Sequence, residues 1–334
     1  MDLISITQKR FESAITLSVI VPYFNEAQVL PSLHARLAAV LDGLPERCEI
    51  IYVNDGSSDD SLQIVDGFQS SSSIVRSLSL SRNFGKESAM SAGLEYSRGE
   101  AVVLIDADLQ DPPELIPQML AKWREGYDVI NMQRRERHGE TWFKRQSAAI
   151  YYRLLNTLVK SDIPENVGDF RLLIRRVVDH INRMPERNRY MKGIFSWPGF
   201  KQCIMQFDRD ARFSGETKWN YFKLLGLAMD GITSFSIRPL RLATVFGSVI
   251  AAGSLFYGLF IVAQTMLWGN AVTGYPSLMV AQLAIGGIQL LCIGLLGEYI
   301  GRIFIEVKQR PLFLVQSVKE KPAVMIFDQM EKRA

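Results

Sequence analysis

Short apolar runs alternate with longer amphipathic segments through the first part of the chain. The runs are rich in β-branched residues and are closed by polar ones, which is the pattern of buried strands. After the first run, Leu30, Leu33 and Leu37 recur at the spacing of one helix face. Alternating strands and helices predict an α/β domain with a doubly wound, mainly parallel sheet. The five predicted strands are residues 16–21, 49–53, 75–80, 101–105 and 128–132.

The pattern changes near residue 241. Residues 242–268 and 271–297 contain no charged side chain. Each stretch exceeds the roughly 20 residues with which a helix crosses the hydrocarbon core of a bilayer. We therefore predict two transmembrane helices, Leu242–Trp268 and Ser277–Ile300. A helical hairpin buried in a soluble core is the alternative.

These patterns divide the chain into four predicted parts. A cytoplasmic α/β domain at residues 1–212 precedes an apolar, aromatic segment at 213–241, which is typical of helices that lie in the membrane interface. The transmembrane hairpin occupies 242–301, and 302–334 is a cytoplasmic tail. Lys and Arg flank the hairpin but are absent from its connecting loop, so the positive-inside rule places both termini in the cytoplasm. We expect a multi-pass protein of the inner (cytoplasmic) membrane.

Charge and cysteine content exclude some classes of protein. The net charge of +3 is small and basic residues gather near the membrane boundary, which gives no support for nucleic-acid binding. Three scattered cysteines predict neither a disulfide framework nor a zinc site. The polar N-terminus lacks the apolar core of a signal peptide. Gly297 and Gly301 have a small-xxx-small spacing, which predicts helix contact in a homo-oligomer.

Candidate chemistry lies where the predicted strands end. Asp106, Asp108 and Gln110 follow the fourth strand. The carboxyl ends of parallel strands meet at the edge where α/β proteins bind ligands. Two carboxylates one residue apart repel each other unless a cation or solvent relieves them. Hard oxygen donors suit Mg²⁺ or Mn²⁺ bound to a diphosphate; a solvated turn after the strand is the alternative.

The first and second strands end in similar polar groups. Pro22, Tyr23 and Glu26 follow the first strand, and Asp55 follows the second. Carboxylates at such positions can accept hydrogen bonds from a nucleoside, whereas helix capping is the simpler interpretation of each group alone. The segment 82–86 lacks the first glycine and the Ser/Thr of a Walker motif, so it predicts only a glycine turn that opens a helix.

Together these motifs resemble glycosyltransferase family 2, which has the GT-A fold. The closest likeness is to the polyprenyl-phosphate branch, in which bactoprenol (undecaprenyl phosphate) glucosyltransferases serve O-antigen modification. The likeness covers about residues 16–312, including both predicted membrane helices. The matching segments are SVIVPYFNE at 18–26, VNDGS at 53–57, RNFGK at 82–86, DADLQDPPE at 106–114, GDFRL at 168–172 and FSGETK at 213–218.

The resemblance implies a role for each candidate residue. Asp108 and Gln110 would hold Mg²⁺ or Mn²⁺, and Asp169 and Asp106 are the catalytic candidates. Nucleotide binding would fall to Pro22, Tyr23, Glu26, Asp55, Lys86 and Asp106. Basic residues would bind the acceptor phosphate, with attraction to anionic lipid head groups as the alternative. They are Arg134, Arg137, Arg145, Arg171, Arg212 and Lys218.

The activity that the resemblance implies is inverting transfer of a sugar, foremost glucose from UDP-glucose, to undecaprenyl phosphate. UDP-N-acetylglucosamine, UDP-galactose, an aminosugar nucleotide and GDP-mannose stay open as donors. A processive polysaccharide synthase is disfavoured, because the chain lacks a Gln-x-x-Arg-Trp motif. A non-catalytic, membrane-tethered nucleotide-binding subunit is the alternative from another class of protein.

Overall fold

A computed structural model describes residues 15–135, 167–187, 189, 191–208, 238–268 and 274–324. These residues fall into two compact units. The first unit contains a β-sheet with its covering helices, and the second contains two long helices. The first unit is discontinuous in sequence, because the chain returns to it at Pro311 after forming the second.

In the described part of the first unit, eight strands form one sheet. They are β1 (Leu17–Tyr23), β2 (Cys48–Asn54), β3 (Ile74–Leu80), β4 (Ala101–Leu104), β5 (Val129–Arg134), β6 (Val167–Ile174), β7 (Gln202–Phe207) and β8 (Val315–Lys321). Their order across the sheet is β7-β5-β6-β4-β1-β2-β3-β8. Six strands share one direction, whereas β6 and β8 run antiparallel to their neighbours. The prediction of a mainly parallel sheet is confirmed, and so are its five predicted strands.

Helices cover both faces of this sheet. On one face, Leu33 of the first helix packs in the same core cluster as Val19 of β1. On the other face, a Cβ on Gly93 of the third helix would lie 2.3 Å from the Ile20 side chain. Because both faces of the sheet are covered, every residue of β1 is buried. The helices are α1 (Leu30–Asp42), α2 (Ser61–Gly67), α3 (Lys86–Tyr96), α4 (Ile116–Arg124, after a 3₁₀ turn at Pro113–Leu115), α5 (Arg175–Arg183) and α6 (Met191–Ser196).

The last strand, β8, corrects the expected organisation of the chain. We expected residues 302–334 to form a cytoplasmic tail, but β8 pairs with β3 along the edge of the sheet. Glu320 of β8 accepts two hydrogen bonds from Arg98, at 3.3 and 2.8 Å, and lies 3.4 Å from Arg76. The segment has no apolar run, because an edge strand keeps much of its surface in water. Its role was therefore not visible in the hydrophobic pattern.

The second unit contains α7 (Arg238–Trp268) and α8 (Tyr275–Lys308). Both are helices, as predicted, and both extend beyond their predicted bounds. At the end of α8, Arg302 donates a 2.8 Å hydrogen bond to Glu298 one turn earlier, which supports the added length. Within the described part of the chain, Ile285–Lys308 is long and apolar enough to cross a membrane. Of residues 213–241, which were predicted to lie in the interface, 213–237 lie outside the described residues and 238–241 form the first turn of α7.

Gly56 fixes the turn that follows β2. Its φ is +70°, and a Cβ there would lie 2.4 Å from the Arg82 carbonyl carbon and 2.5 Å from the Asn83 nitrogen. We expect Gly56→Ala to lower the free energy of unfolding by about 3 kcal/mol, through both the strained φ and the backbone clash. The measurement is the thermal unfolding of the full-length protein in detergent. Gly126→Ala is the matched control, because Gly126 has a φ of +89° with open space around it; equal losses in the two variants would contradict the expectation.

Candidate active site

The pairing of β4 with β6 brings two distant carboxylates together. Leu104 of β4 lies opposite Arg171 of β6 in an antiparallel register. Continuing this register by two residues places Asp106 opposite Asp169. The Lys86 Nζ lies 2.6 Å from Asp106 Oδ1 and 2.5 Å from Asp169 Oδ2. Three residues that the sequence predicted separately therefore form one cluster at the carboxyl end of β4.

Asp55 positions Lys86 within this cluster. Its carboxylate accepts hydrogen bonds from the backbone N–H groups of Phe84, at 2.7 Å, and Gly85, at 3.0 Å. Gly85 has a φ of +96°, which lets the chain turn into α3, where Lys86 is the first residue. Asp55 was predicted to bind the nucleoside, and the structure shows that it fixes the loop that carries Lys86.

The cluster is electrostatically strained without its lysine. The Asp106 and Asp169 oxygens that contact Lys86 Nζ lie at most about 5 Å apart. At that distance two negative charges repel each other by about 3 kcal/mol at an effective dielectric constant of about 20. Burial raises the pKa of Asp106, with further contributions from the charges of Asp169 and Asp108. Burial lowers the pKa of Lys86, but the charges and hydrogen bonds of the two carboxylates outweigh this and raise it. The lysine is therefore charged at neutral pH.

Asp108 and Gln110 supply the remaining oxygen donors after β4. Asp108 Oδ1 accepts a 3.2 Å hydrogen bond from the Gln110 backbone N–H. Between them Leu109 adopts a φ of 59° and is buried. The described residues include no group of three or more His, Cys, Asp or Glu side chains arranged to hold a metal. The carboxylates of Asp106 and Asp108 and the amide of Gln110 nevertheless fit Mg²⁺ or Mn²⁺, because such ions commonly complete their coordination with water and substrate phosphate.

The residues after β1 form a separate part of the crevice. The Glu26 N–H donates a 2.9 Å hydrogen bond to Ser61, and Asn25 accepts one at 2.8 Å from the Ser58 N–H. Pro22 is buried in β1. The Tyr23 side chain was predicted to bind the nucleoside, but it is 3% exposed and packs in the hydrophobic core. The prediction is corrected for this side chain, because β1 directs it into the core and away from solvent.

Two of the predicted phosphate-binding arginines lie beside the cluster. Arg134 contacts Gly168, where a Cβ would meet its Nη2 at 3.0 Å, and its side chain is 16% exposed. Arg171 is 3% exposed, donates a 2.6 Å hydrogen bond to the Gly168 carbonyl oxygen and lies over the Phe195 ring. Burial lowers the pKa of Arg171 to about 10. The other four candidates, Arg137, Arg145, Arg212 and Lys218, lie outside the described residues.

Arg171 therefore supports the turn that carries Asp169, and we withdraw it from the phosphate-binding set. A guanidinium with so little exposed surface is not accessible to a lipid phosphate.

The sequence analysis also missed Asp111, a fully buried carboxylate 3.6 Å from Arg134 Nη2. The sequence could have indicated this residue, because Asp111 is the third carboxylate of the segment 106–111.

Comparisons with known proteins agree with this geometry. Residues 18–181 match Glycosyl transferase family 2, and residues 238–303 match the GtrB C-terminal hairpin. An uncharacterized glycosyltransferase of Synechocystis sp. is 51% identical to the chain and covers 91% of it, over 96% of its own length. A prophage bactoprenol glucosyl transferase homolog of Escherichia coli is 45% identical, and the bactoprenol glucosyl transferase of Shigella phage SfV is 44% identical. Each covers 91% of this chain over 99% of its own length.

These relatives cover both units, so the likeness is not confined to the sheet. The hairpin match and the apolar segment of α8 together indicate association with a membrane. The sequence identity of 44–51% extends over nearly the whole of each chain. The chain belongs to glycosyltransferase family 2.

Proposed function

We propose that the protein transfers glucose from UDP-glucose to undecaprenyl phosphate, or a similar polyprenyl phosphate, at the cytoplasmic face of the membrane. The observation that carries the proposal is the convergence of Asp106 and Asp169 on Lys86 at the carboxyl end of β4. Donor and acceptor are supported by relatives named bactoprenol glucosyl transferase, which are 44–45% identical over 90–91% of this chain.

Each residue of the site has a task in this reaction. Asp108 and Gln110 would hold a divalent cation, which when bound neutralises the negative charge of the departing diphosphate. Lys86 supplies a further positive charge at the first turn of α3, where a phosphate is also favoured by the helix N-terminus. Asp55 keeps that lysine in place. Glu26 lies after β1, on the side of the crevice where the nucleoside would bind.

The chemical step needs little proton transfer. An oxygen of the acceptor phosphate attacks C1 of the glucose, the bond between C1 and the diphosphate oxygen breaks, and its electron pair leaves with UDP. A phosphate monoester has a second pKa near about 6, so the acceptor is mostly dianionic at neutral pH. Asp169 would therefore orient the reactants and stabilise positive charge at C1. A single displacement inverts C1 and gives a β-linked product from an α-linked donor.

Arg134 is the described residue best placed to bind the acceptor phosphate. We expect Arg134→Ala to raise the KM for the lipid acceptor by about tenfold, because a charge-assisted hydrogen bond contributes about 1.5–3 kcal/mol. The KM for UDP-glucose should stay within about twofold. The neighbouring Arg135 is a matched control, since its side chain is 59% exposed and pairs with Asp208. Steady-state kinetics with each substrate varied make the comparison, and an equal rise in both KM values for Arg134→Ala would contradict the assignment.

The membrane arrangement is part of the proposal. We propose that α7 and α8 both span the bilayer, with both termini in the cytoplasm. The apolar side chains of both helices are widely exposed, including Phe256 at 72% and Leu290 at 71%, which suits contact with lipid. Residues 213–237 would lie in the interface, and the Gly297–Gly301 face would join copies in a homo-oligomer. Labelling of single cysteines placed at each terminus, from either side of sealed vesicles, tests the orientation.

The test of the reaction is radiolabelled sugar transfer to undecaprenyl phosphate by the purified protein with Mg²⁺ or Mn²⁺. The donors are UDP-glucose, UDP-N-acetylglucosamine, UDP-galactose and GDP-mannose in parallel. We expect a lipid-extractable product from UDP-glucose that disappears with EDTA. A product from another donor would replace glucose in the proposal. Binding of UDP-glucose without transfer to any lipid would favour the non-catalytic alternative.

A further inference from the structure

Lys86 occupies a position that the proposed donor would need. Its ammonium group bridges Asp106 and Asp169, the two carboxylates that we propose as catalytic. Both carboxylates are mostly buried, at 19% and 17% side-chain exposure. Lys86 therefore contacts both carboxylates at the same time.

We propose that Lys86 is an exchangeable internal counter-ion, which neutralises Asp106 and Asp169 while the donor is absent and turns to the diphosphate when the donor binds. The inference rests on the proposed function and adds the regulation of cation binding at the same site. Lysine suits this task because it is a point charge on a flexible four-carbon stem. Its side chain is 46% exposed, so one side of it is open to solvent and a ligand.

The exchange links cation binding to nucleotide binding. While Lys86 contacts Asp106, the acidic cluster around Asp106 and Asp108 already has a positive charge and attracts a divalent ion weakly. A diphosphate that draws the lysine away restores the negative charge of the cluster. Coupling of this kind is reciprocal, so the nucleotide strengthens cation binding by the same factor by which the cation strengthens nucleotide binding. The enzyme would thus take up the cation together with the nucleotide.

A purely structural ion pair is the competing explanation. If Lys86 only stabilised the fold, its removal would lower thermal stability without improving cation binding. If it is an exchangeable counter-ion, its removal leaves two carboxylates close together that a divalent ion can neutralise instead. The two explanations therefore predict opposite changes in the affinity for Mn²⁺ in the absence of nucleotide.

The experiment measures Mn²⁺ binding to the full-length protein in detergent by electron paramagnetic resonance of free Mn²⁺, without nucleotide. We expect Lys86→Met to bind Mn²⁺ at least about tenfold more tightly than the wild type. Lys86→Arg keeps the charge and should stay close to the wild type. Lys122→Met is the matched control, because Lys122 also pairs with a carboxylate, Glu125 at 2.8 Å, away from the site. Unchanged or weaker binding by Lys86→Met would overturn the proposal.

A second measurement uses the wild type alone and does not depend on the folding of a variant. We expect saturating UDP to increase the Mn²⁺ affinity of the wild type by at least about tenfold. The increase should be smaller in Lys86→Met, where no lysine has to be displaced. Absence of any effect of UDP on the wild type would overturn the proposal by itself. Sugar transfer by the wild type is measured in a separate assay. Failure of the proposed function would appear there as absence of transfer, whereas failure of this inference would appear in the Mn²⁺ affinities.

Discussion

Replacing Asp108 with asparagine is expected to lower the rate of sugar transfer by about a thousandfold, or about 4 kcal/mol of transition-state stabilisation. An asparagine Oδ1 can still accept the hydrogen bond that Asp108 accepts from the Gln110 N–H, so the turn after β4 is preserved. What is lost is the negative charge that would help to hold the divalent cation. The variant therefore separates the chemistry of the site from its folding.

The measurement is kcat for transfer from UDP-glucose to undecaprenyl phosphate, with thermal unfolding recorded on the same samples. Asp179→Asn is a matched control, because Asp179 is a partly exposed carboxylate on α5 that lies 4.0 Å from Arg175. We expect the control to keep activity within about twofold. If Asp108→Asn kept activity within about threefold at saturating Mg²⁺, the cation would not be held by this carboxylate.

Ending the chain after Arg310 is expected to destabilise the first unit strongly. This truncation keeps α7 and α8 but removes β8, which pairs with β3 over residues 315–321. The backbone groups of β3 would then face solvent along an open edge, which favours aggregation. Arg98 and Arg76 would also lose their contacts with Glu320. We expect the melting temperature to fall by more than about 10 °C, or the protein to aggregate during purification.

Two full-length variants refine this result. Glu320→Ala keeps the strand and removes its ion pairs, so it should cost about 1 kcal/mol. Val318→Thr changes a side chain that is 45% exposed in β8 and should stay within about 0.5 kcal/mol of the wild type. A truncated protein that melted like the wild type would show that the sheet is stable without its last strand. Such a result would restore the expected division into a sheet domain and a separate tail.

The hydrophobic pattern determined most of the sheet, because β1 to β5 are buried strands with strong local signals. The two long helices were equally clear, since an uncharged stretch of this length needs no tertiary partner to be recognised. Motifs at the ends of β1, β2 and β4 indicated the edge of the sheet at which the candidate site lies. The order of the strands confirms that these three strands are neighbours.

Tertiary structure decided which of these residues meet. Asp106 and Asp169 are far apart in sequence, and only the antiparallel register of β6 against β4 brings them to one lysine. The sequence also could not distinguish a polar side chain that lines the crevice from one that supports it. Arg171 and the Tyr23 side chain were predicted to bind substrates, but both are buried. The sequence did not show this, because burial depends on packing by distant segments. β8 was missed for a related reason. An edge strand is stabilised by backbone hydrogen bonds to its neighbour, and these bonds require no particular pattern of side chains.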